Sequence, residues 1–281
     1  MAQAMQKPST FKKETDGSVV LTVTIPVDKV AKAREEVIEA AVKNTTLPGF
    51  RQGKAPRKMV EKGLDSEKVR EEILKQILPQ AYIEAVKEHK LNPIINPKIH
   101  VDSIEEGKDW VFTATTCEVP EVKLNNYKDA IAKVTAKGKI VVPGKEQSQP
   151  NFDEIMKALM ESVTVTIPGI LVEGEVDRLL SQLLNEIKSL GLSLDQYLAS
   201  TNKTVEVLRE EYQKRAENDI KIEFALQKVA EQEKITVEQK EIDEALIKAK
   251  DDQERQQLQA NVYLLANILR QQKTLDFLKN L

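Results

Sequence analysis

The spacing of apolar residues changes along the chain, and this change limits the folds that the chain can adopt. In Ser18–Pro26, SVVLTVTIP, apolar residues occupy every second position. Those positions are Val19, Leu21, Val23 and Ile25. A period of two predicts a strand with one buried face. From Pro168 onward, apolar residues recur every three or four positions, which predicts amphipathic helices. We therefore expect an α+β domain followed by an all-α domain.

The order of the predicted elements divides the 281 residues into two domains and a connection. The first strand is followed by helical patterns, among them one from about Ser66 to His89, and then by two strand-like segments, KIHVDSI and DWVFTATTCEV. These elements predict a compact α+β domain over residues 1–119. Residues 120–150 contain the short strand-like fragments IAKV and KIVV, broken by glycine and proline, and predict an extended linker. Residues 151–281 predict the helical domain.

The composition favours a soluble cytoplasmic protein. The chain is 41% hydrophobic and 31% charged, and its net charge of −3 argues against nucleic-acid binding by the chain as a whole. The single cysteine, Cys117, has no partner for an internal disulfide and fits a reducing compartment. No apolar run approaches the length of a membrane span, so we expect no membrane association.

The residues that most enzymes need for their chemistry are scarce. His89 and His100 are the only histidines, so neither a zinc site of the usual Cys/His type nor a Ser-His-Asp arrangement has support. The carboxylates lie among lysines on predicted helix surfaces, where they are typical of a solvated face. The glycines of GFRQGK lack the spacing of a phosphate-binding P-loop. We predict no catalytic residue, no metal and no cofactor.

The stretch Leu47–Pro56, LPGFRQGKAP, is unusual because it places an aromatic residue in a predicted loop. Phe50 stands beside the cations Arg51 and Lys54. Positive charge continues beyond the loop at Arg57, Lys58 and Lys62. Such cations bind phosphates, and an aromatic side chain on a loop can anchor a partner protein. The alternative is that Phe50 folds back as a plug under the loop.

The motif GFRQGKAP resembles the G-F-R-x-G-K-x-P motif of the trigger factor family, bacterial chaperones that act at the ribosome exit tunnel. The turn LNPIINPKI and the strand FTATTCEVPEVKL also resemble that family's N-terminal ribosome-binding domain, and VTVTIPGILVEGEVDRLLSQLLNEIKSLGLSLDQYLASTNKTVEVLREEY resembles its helical C-terminal domain. The resemblance implies a ribosome-contacting tip made of Gly49, Phe50, Arg51, Gln52, Gly53, Lys54 and Pro56. Gln52 occupies the variable position of the motif, where a lysine in a relative would add a phosphate contact.

The chain departs from the family pattern in one respect. Full-length relatives insert a peptidyl-prolyl isomerase domain of the FK506-binding type, a module of about 100 residues, after the N-terminal domain. The stretch between Tyr127 and Asn151 has no room for such a module. We therefore expect a chain without isomerase activity, either as a natural form or as a deletion.

The resemblance implies an ATP-independent chaperone that docks at the exit of the large ribosomal subunit, against ribosomal RNA and a ribosomal protein, and shields nascent polypeptides with helical arms. A homodimer off the ribosome is a further expectation. Contacts with unfolded clients are predicted at Val176, Leu179, Leu180, Leu183, Leu258, Val262 and Leu265. Three alternatives stay open: a ribosome-independent helical holdase or assembly factor, a family member labelled isomerase despite the missing domain, and a scaffold whose apolar stripes are all core.

Overall fold

A computed structural model describes residues 9–45, 50–138, 152–249 and 251–281. The chain forms two compact units, Met1–Val119 and Pro120–Leu281. The first unit combines a sheet with helices, and the second is mostly helical, which is the predicted α+β and helical organisation.

Unit 1 is built around one four-stranded antiparallel sheet. Its elements, in chain order, are β1 (Ser9–Lys13), β2 (Ser18–Ile25), α1 (Val27–Asn44), α2 (Arg57–Gly63), α3 (Ser66–Glu88), β3 (Lys98–Ser103) and β4 (Trp110–Cys117). The strand order is β1-β2-β4-β3. The predictions of strands at β2, β3 and β4 and of a helix at α3 are confirmed. The edge strand β1, sequence STFKK, was not predicted because it lacks alternating apolar residues.

The core of unit 1 lies between one sheet face and two helices. Register places Leu21 opposite Ala114 and Val23 opposite Phe112, and all four side chains are buried. Helices α1 and α3 cover this face with the buried residues Val30, Ala33, Ile73 and Ala85. The alternation of β2 therefore has the predicted cause, which is burial of every second side chain against helices.

The prediction of an extended linker over residues 120–150 is wrong for the residues up to Gly138. Val122–Leu124 forms β5, which pairs with β6 (Val163–Val165), and Tyr127–Gly138 forms the helix α4. The fragment IAKV lies inside α4 and is not strand-like, because Tyr127 and Ile131 recur at helical spacing and are both buried. This segment belongs to unit 2, where it packs with α5 (Phe152–Ser162). The fragment KIVV and the rest of the predicted linker lie outside the described residues.

The remaining helices of unit 2 are α6 (Gly169–Ser189), α7 (Leu194–Thr201), α8 (Val205–Gln232), α9 (Gln239–Ile247), α10 (Asp252–Ala260) and α11 (Val262–Lys279). The longest of them, α8, packs against α6, α5 and α11 along its length. Among the described residues of unit 2, the core is divided into three apolar clusters instead of one. The small β5–β6 sheet is an addition to the all-helical arrangement that the sequence predicts.

Candidate functional site

Residues Phe50–Pro56, here called the signature loop, are the part of the connection between α1 and α2 that leads directly into α2. The loop is closed at its base, because the backbone N–H of Gly53 donates to the carbonyl of Thr45 at 3.5 Å. A second bond, from the N–H of Lys54 to the carbonyl of Arg51 at 2.9 Å, forms a tight turn. Of the seven predicted tip residues, Gly49 lies outside the described residues.

Gly53 is the residue whose backbone most constrains the signature loop. Its φ is +73°, in the region that favours glycine. A Cβ at this position would also lie 3.2 Å from the carbonyl oxygen of Lys43, near the end of α1. Both the turn and the close approach to α1 therefore require glycine here.

The signature loop directs its functional candidates outward. Phe50 is 36% exposed, so its side chain is not the buried plug of the alternative interpretation. Arg51, Gln52, Lys54 and Pro56 are exposed as well. Ala55 is buried and attaches the loop to unit 1. The structure therefore brings an aromatic ring and two cations to one short exposed segment.

The basic cluster around the loop divides into paired and unpaired cations. The Arg57 guanidinium donates to Glu61 at 2.7 Å and to Glu35 at 2.6 Å, and these bonds raise its pKa above the ordinary value. Within the described ranges, no ion pair engages the other members of the cluster. Those are Arg51, Lys54, Lys58 and Lys62.

One apolar residue near these cations was not predicted. Met59 of α2 is 52% exposed, although the neighbouring Val60 is buried. The sequence carries no clear signal for this exposure, because adjacent apolar residues of a helix can both be buried, as Ile155 and Met156 of α5 are. Met59 adds a flexible apolar side chain to the surface that carries Lys58 and Lys62.

Four of the seven predicted client-contact residues are core residues, and the prediction is wrong for them. Val176 and Leu179 of α6 pack in one cluster with Ala216 and Ile220 of α8. Leu183 is buried in the next cluster. Leu265 of α11 is also buried. Their helical spacing reflects packing within unit 2, where α8 covers the stripe of α6.

The other three predicted client residues are more accessible, and unit 2 exposes further apolar side chains. Leu180 and Leu258 are half-buried, and Val262 is exposed. Around α6, α7 and α8 the exposed apolar residues are Leu184, Leu190, Leu192, Val205 and Val207. On α9 and α11 they are Ile247, Val262, Tyr263, Leu264 and Ile268. We call these two sets the α6–α8 group and the α9–α11 group.

Metal binding and histidine-based catalysis each need particular side chains to lie close together. No cluster of three or more His, Cys, Asp or Glu side chains suited to a metal occurs in the described part of the chain. Ser9 contacts both Glu88 and His89, but the carboxylate bonds to the serine and not to the imidazole as a catalytic triad would require. No helix of the described residues is long and apolar enough to cross a membrane.

Two models of one protein family match the chain. The model described as bacterial trigger factor protein matches residues 8–149, and the model of the bacterial trigger factor C-terminus matches residues 144–281. The matched ranges overlap, so no stretch between them remains for an isomerase domain of about 100 residues.

Curated relatives agree with this assignment. The chain is 42% identical over 120 residues to trigger factor of Staphylococcus epidermidis (strain ATCC 35984), a match that covers 43% of the chain and 28% of the relative. It is 34% identical over 155 residues to trigger factor of Staphylococcus aureus (strain JH9), which covers 55% of the chain and 33% of the relative. The matches thus span a third or less of the length of these relatives.

A solved structure shares the fold. A structure of the trigger factor chaperone, described for its promiscuous substrate recognition in folding and assembly activities, aligns with a TM-score of 0.65 at 14% sequence identity. The alignment covers 96% of this chain and 99% of that chain. The family models, the curated relatives and the fold agree, and the chain belongs to the trigger factor family.

Proposed function

We propose that this protein is an ATP-independent chaperone that docks at the exit of the large ribosomal subunit through the signature loop and holds unfolded nascent polypeptides on unit 2. The observation that carries the proposal is the exposed loop, in which Phe50, Arg51 and Lys54 stand on a backbone fixed by Gly53. A cytoplasmic location follows from a ribosomal partner.

The charges around the loop support a partner that contains RNA. Arg51, Lys54, Lys58 and Lys62 are exposed and have no carboxylate partner among the described residues, so phosphates would meet cations that are already available. Phe50 and Met59 add apolar anchors of the kind that bind a pocket on a ribosomal protein. A surface with both features suits the junction of ribosomal RNA and protein.

The exposed apolar side chains of unit 2 support client binding. The α6–α8 group and the α9–α11 group together leave ten large apolar residues at the surface. Unfolded polypeptides expose apolar segments of many sequences, and scattered apolar contacts on adaptable surfaces hold such segments without strict selectivity. Release then needs only weak affinity, which makes a nucleotide unnecessary.

A ribosome-independent holdase or assembly factor is the second candidate. The same α6–α8 and α9–α11 groups favour it, because neither group depends on the signature loop. The pure scaffold has less support, since its apolar stripes would have to be fully packed. Isomerase activity would need a segment that the two overlapping family matches do not leave. Association of two copies off the ribosome remains part of the proposal.

Co-sedimentation with ribosomes tests the docking proposal. Replacing Phe50, Arg51 and Lys54 together by alanine should abolish association, while the melting temperature stays unchanged because all three side chains are exposed. Binding of the unchanged chain should weaken as salt rises, because phosphate contacts release counterions. Normal sedimentation of the triple variant would contradict docking through the loop and would favour the ribosome-independent holdase.

A glycine variant tests the loop without removing any side chain that would touch the ribosome. Gly53→Ala places a residue at positive φ, which costs about 1–2 kcal/mol, so we expect roughly tenfold weaker binding. Gly63→Ala is the matched control, because a Cβ at Gly63 would meet no atom within 4 Å. Equal affinities of the two variants would show that the loop conformation is not what the ribosome recognises.

A further inference from the structure

Arg57 differs from the other cations near the signature loop because it bridges two helices. Its Nη2 donates to Oε2 of Glu35 on α1 at 2.6 Å, and its Nε donates to Oε1 of Glu61 on α2 at 2.7 Å. Glu35 precedes the loop in the chain, and Arg57 is the first residue of α2, directly after it. The guanidinium therefore joins the helix that enters the loop to the helix that leaves it.

The attachment of α2 depends on few other contacts. α2 has seven residues, and Val60 is the residue that it buries. The loop itself is tied to unit 1 by the Gly53–Thr45 backbone bond and by the buried Ala55. A short helix with one buried side chain can rotate about its contact point, and a fork that engages α1 restrains that rotation.

We propose that Arg57 is a positioning residue that fixes α2 and the signature loop in the orientation required for docking, and that it does not bind ribosomal phosphate. This inference rests on the docking function proposed above. It differs from the expectation drawn from the sequence, which placed Arg57 among the cations that grip phosphates.

The local charge favours positioning over phosphate binding. Arg57 together with Glu35 and Glu61 has one positive and two negative charges, so an approaching phosphate meets a net negative group. Its Nε and Nη2 donors are already engaged by carboxylates. Lys58 and Lys62 lie four residues apart on α2 and are free of such pairs among the described residues, so α2 still offers phosphate-binding cations beside the bridge.

Three variants of the full chain separate the two roles in a ribosome-binding titration. Arg57→Lys keeps the charge but loses the planar fork that spans two carboxylates. The double variant Glu35→Gln with Glu61→Gln keeps Arg57 but weakens the bridge. The double variant Glu39→Gln with Glu71→Gln is the matched control, because it removes two exposed carboxylates of unit 1 that do not contact Arg57.

If Arg57 positions the loop, both bridge variants bind ribosomes about fivefold more weakly than their references, because a smaller fraction of molecules holds the docking orientation. The reference for Arg57→Lys is the unchanged chain, and the reference for the Glu35/Glu61 variant is the control. If Arg57 binds phosphate instead, removing its two carboxylates strengthens binding relative to the control. Arg57→Lys binding as tightly as the unchanged chain, or the Glu35/Glu61 variant binding no more weakly than the control, would overturn the proposal.

Amide hydrogen exchange gives a readout that needs no ribosome. The amides of Gly53 and Lys54, which close the loop and its turn, should exchange roughly fivefold faster in both bridge variants than in the control. Unchanged exchange at these two amides would overturn the positioning role even if the ribosome titration were altered. An unchanged chain that fails to sediment with ribosomes, with exchange at both amides accelerated in the variants, would instead refute docking and leave the bridge as the device that orients the loop.

Discussion

Helices α6 and α11 have similar apolar content, but they use it in opposite ways. In α6 the residues Val172, Val176, Leu179, Leu183 and Ile187 recur every three or four positions, and all are buried. In α11 the first three residues, Val262, Tyr263 and Leu264, are exposed, and so is Ile268. The second half of α11 is packed, with Thr274 and Leu278 buried.

The difference depends on the partner that each helix has. α8 runs against α6 and supplies Leu208, Ala216 and Ile220 to two of the core clusters. Near the start of α11 the neighbouring helix is α10, which buries no residue at all. A regular stripe therefore indicates a core only when a second element of matching length covers it, and in the first half of α11 Leu265 is the one buried side chain among the described residues.

The largest expected effect is on the stability of unit 2, and it distinguishes two adjacent leucines of α6. Leu183→Ala should lower the free energy of unfolding of unit 2 by about 2–5 kcal/mol, because the side chain is buried with Ile187, Leu198 and Leu208. Leu184→Ala should change it by less than about 0.5 kcal/mol, because Leu184 is 47% exposed. Urea unfolding followed by circular dichroism measures both. Equal losses in the two variants would break the distinction between a packed α6 stripe and an exposed neighbour.

The sequence predicted the elements whose pattern is local. β2 was predictable because alternation and burial coincide over eight residues, and the motif around Phe50 and Gly53 located an exposed loop. The helix α4 was not predicted, because the glycines and prolines that follow it made the whole of residues 120–150 resemble a linker. Its helix depends on burial of Tyr127 and Ile131 against distant parts of unit 2.

The missed features of the candidate site depend on contacts between distant residues. Arg57 looked like another phosphate-binding cation, because its pairing with Glu35 joins residues 22 positions apart. The prediction of client contacts was wrong for Val176, Leu179 and Leu183 for the same kind of reason, since the position of α8 decides which side of α6 is covered. The repeated apolar spacing predicted the helices of unit 2, but the exposure of their apolar side chains depends on tertiary packing.

The exposed half of α11 should affect client binding and not stability. Replacing Tyr263 by serine and both Leu264 and Ile268 by glutamine should weaken client binding by roughly fivefold, or about 1 kcal/mol, because apolar contact area is lost. The free energy of unfolding should stay within about 0.5 kcal/mol. Light scattering of an aggregating client, together with an apolar dye titration, measures the effect without added nucleotide.

The matched control for this variant lies on the neighbouring helix. Replacing Gln253, Gln256 and Gln259 of α10 by serine changes three exposed polar residues and should leave protection of the client unaltered. If the α11 variant protects the client as well as this control does, the α9–α11 group is not a client surface, and the α6–α8 group would be the remaining candidate.

The smallest expected effect concerns the packed second half of α11, near the end of α8 and the start of α4. Glu233 accepts hydrogen bonds from Lys128 and from the Tyr127 hydroxyl, both at 2.8 Å, and these bonds lower the pKa of Glu233. Lys128 also lies 5.9 Å from the centre of the Phe277 ring of α11.

A carboxyl whose folded-state pKa is lowered stabilises the fold above its unfolded pKa, and this stabilisation is lost as pH falls through the folded value. The unchanged chain should therefore exceed Glu233→Gln in stability by about 0.5 kcal/mol near neutral pH. The difference should shrink as pH falls below the unfolded value of about 4.3 and vanish below the folded pKa. Glu231→Gln is a suitable control, because Glu231 pairs with Lys228 on the surface of α8 and does not reach α4 or α11. A difference between the chain and Glu233→Gln that persisted in acid would mean that the side-chain amide disturbs packing, and that the ion pair does not help to hold the buried half of α11.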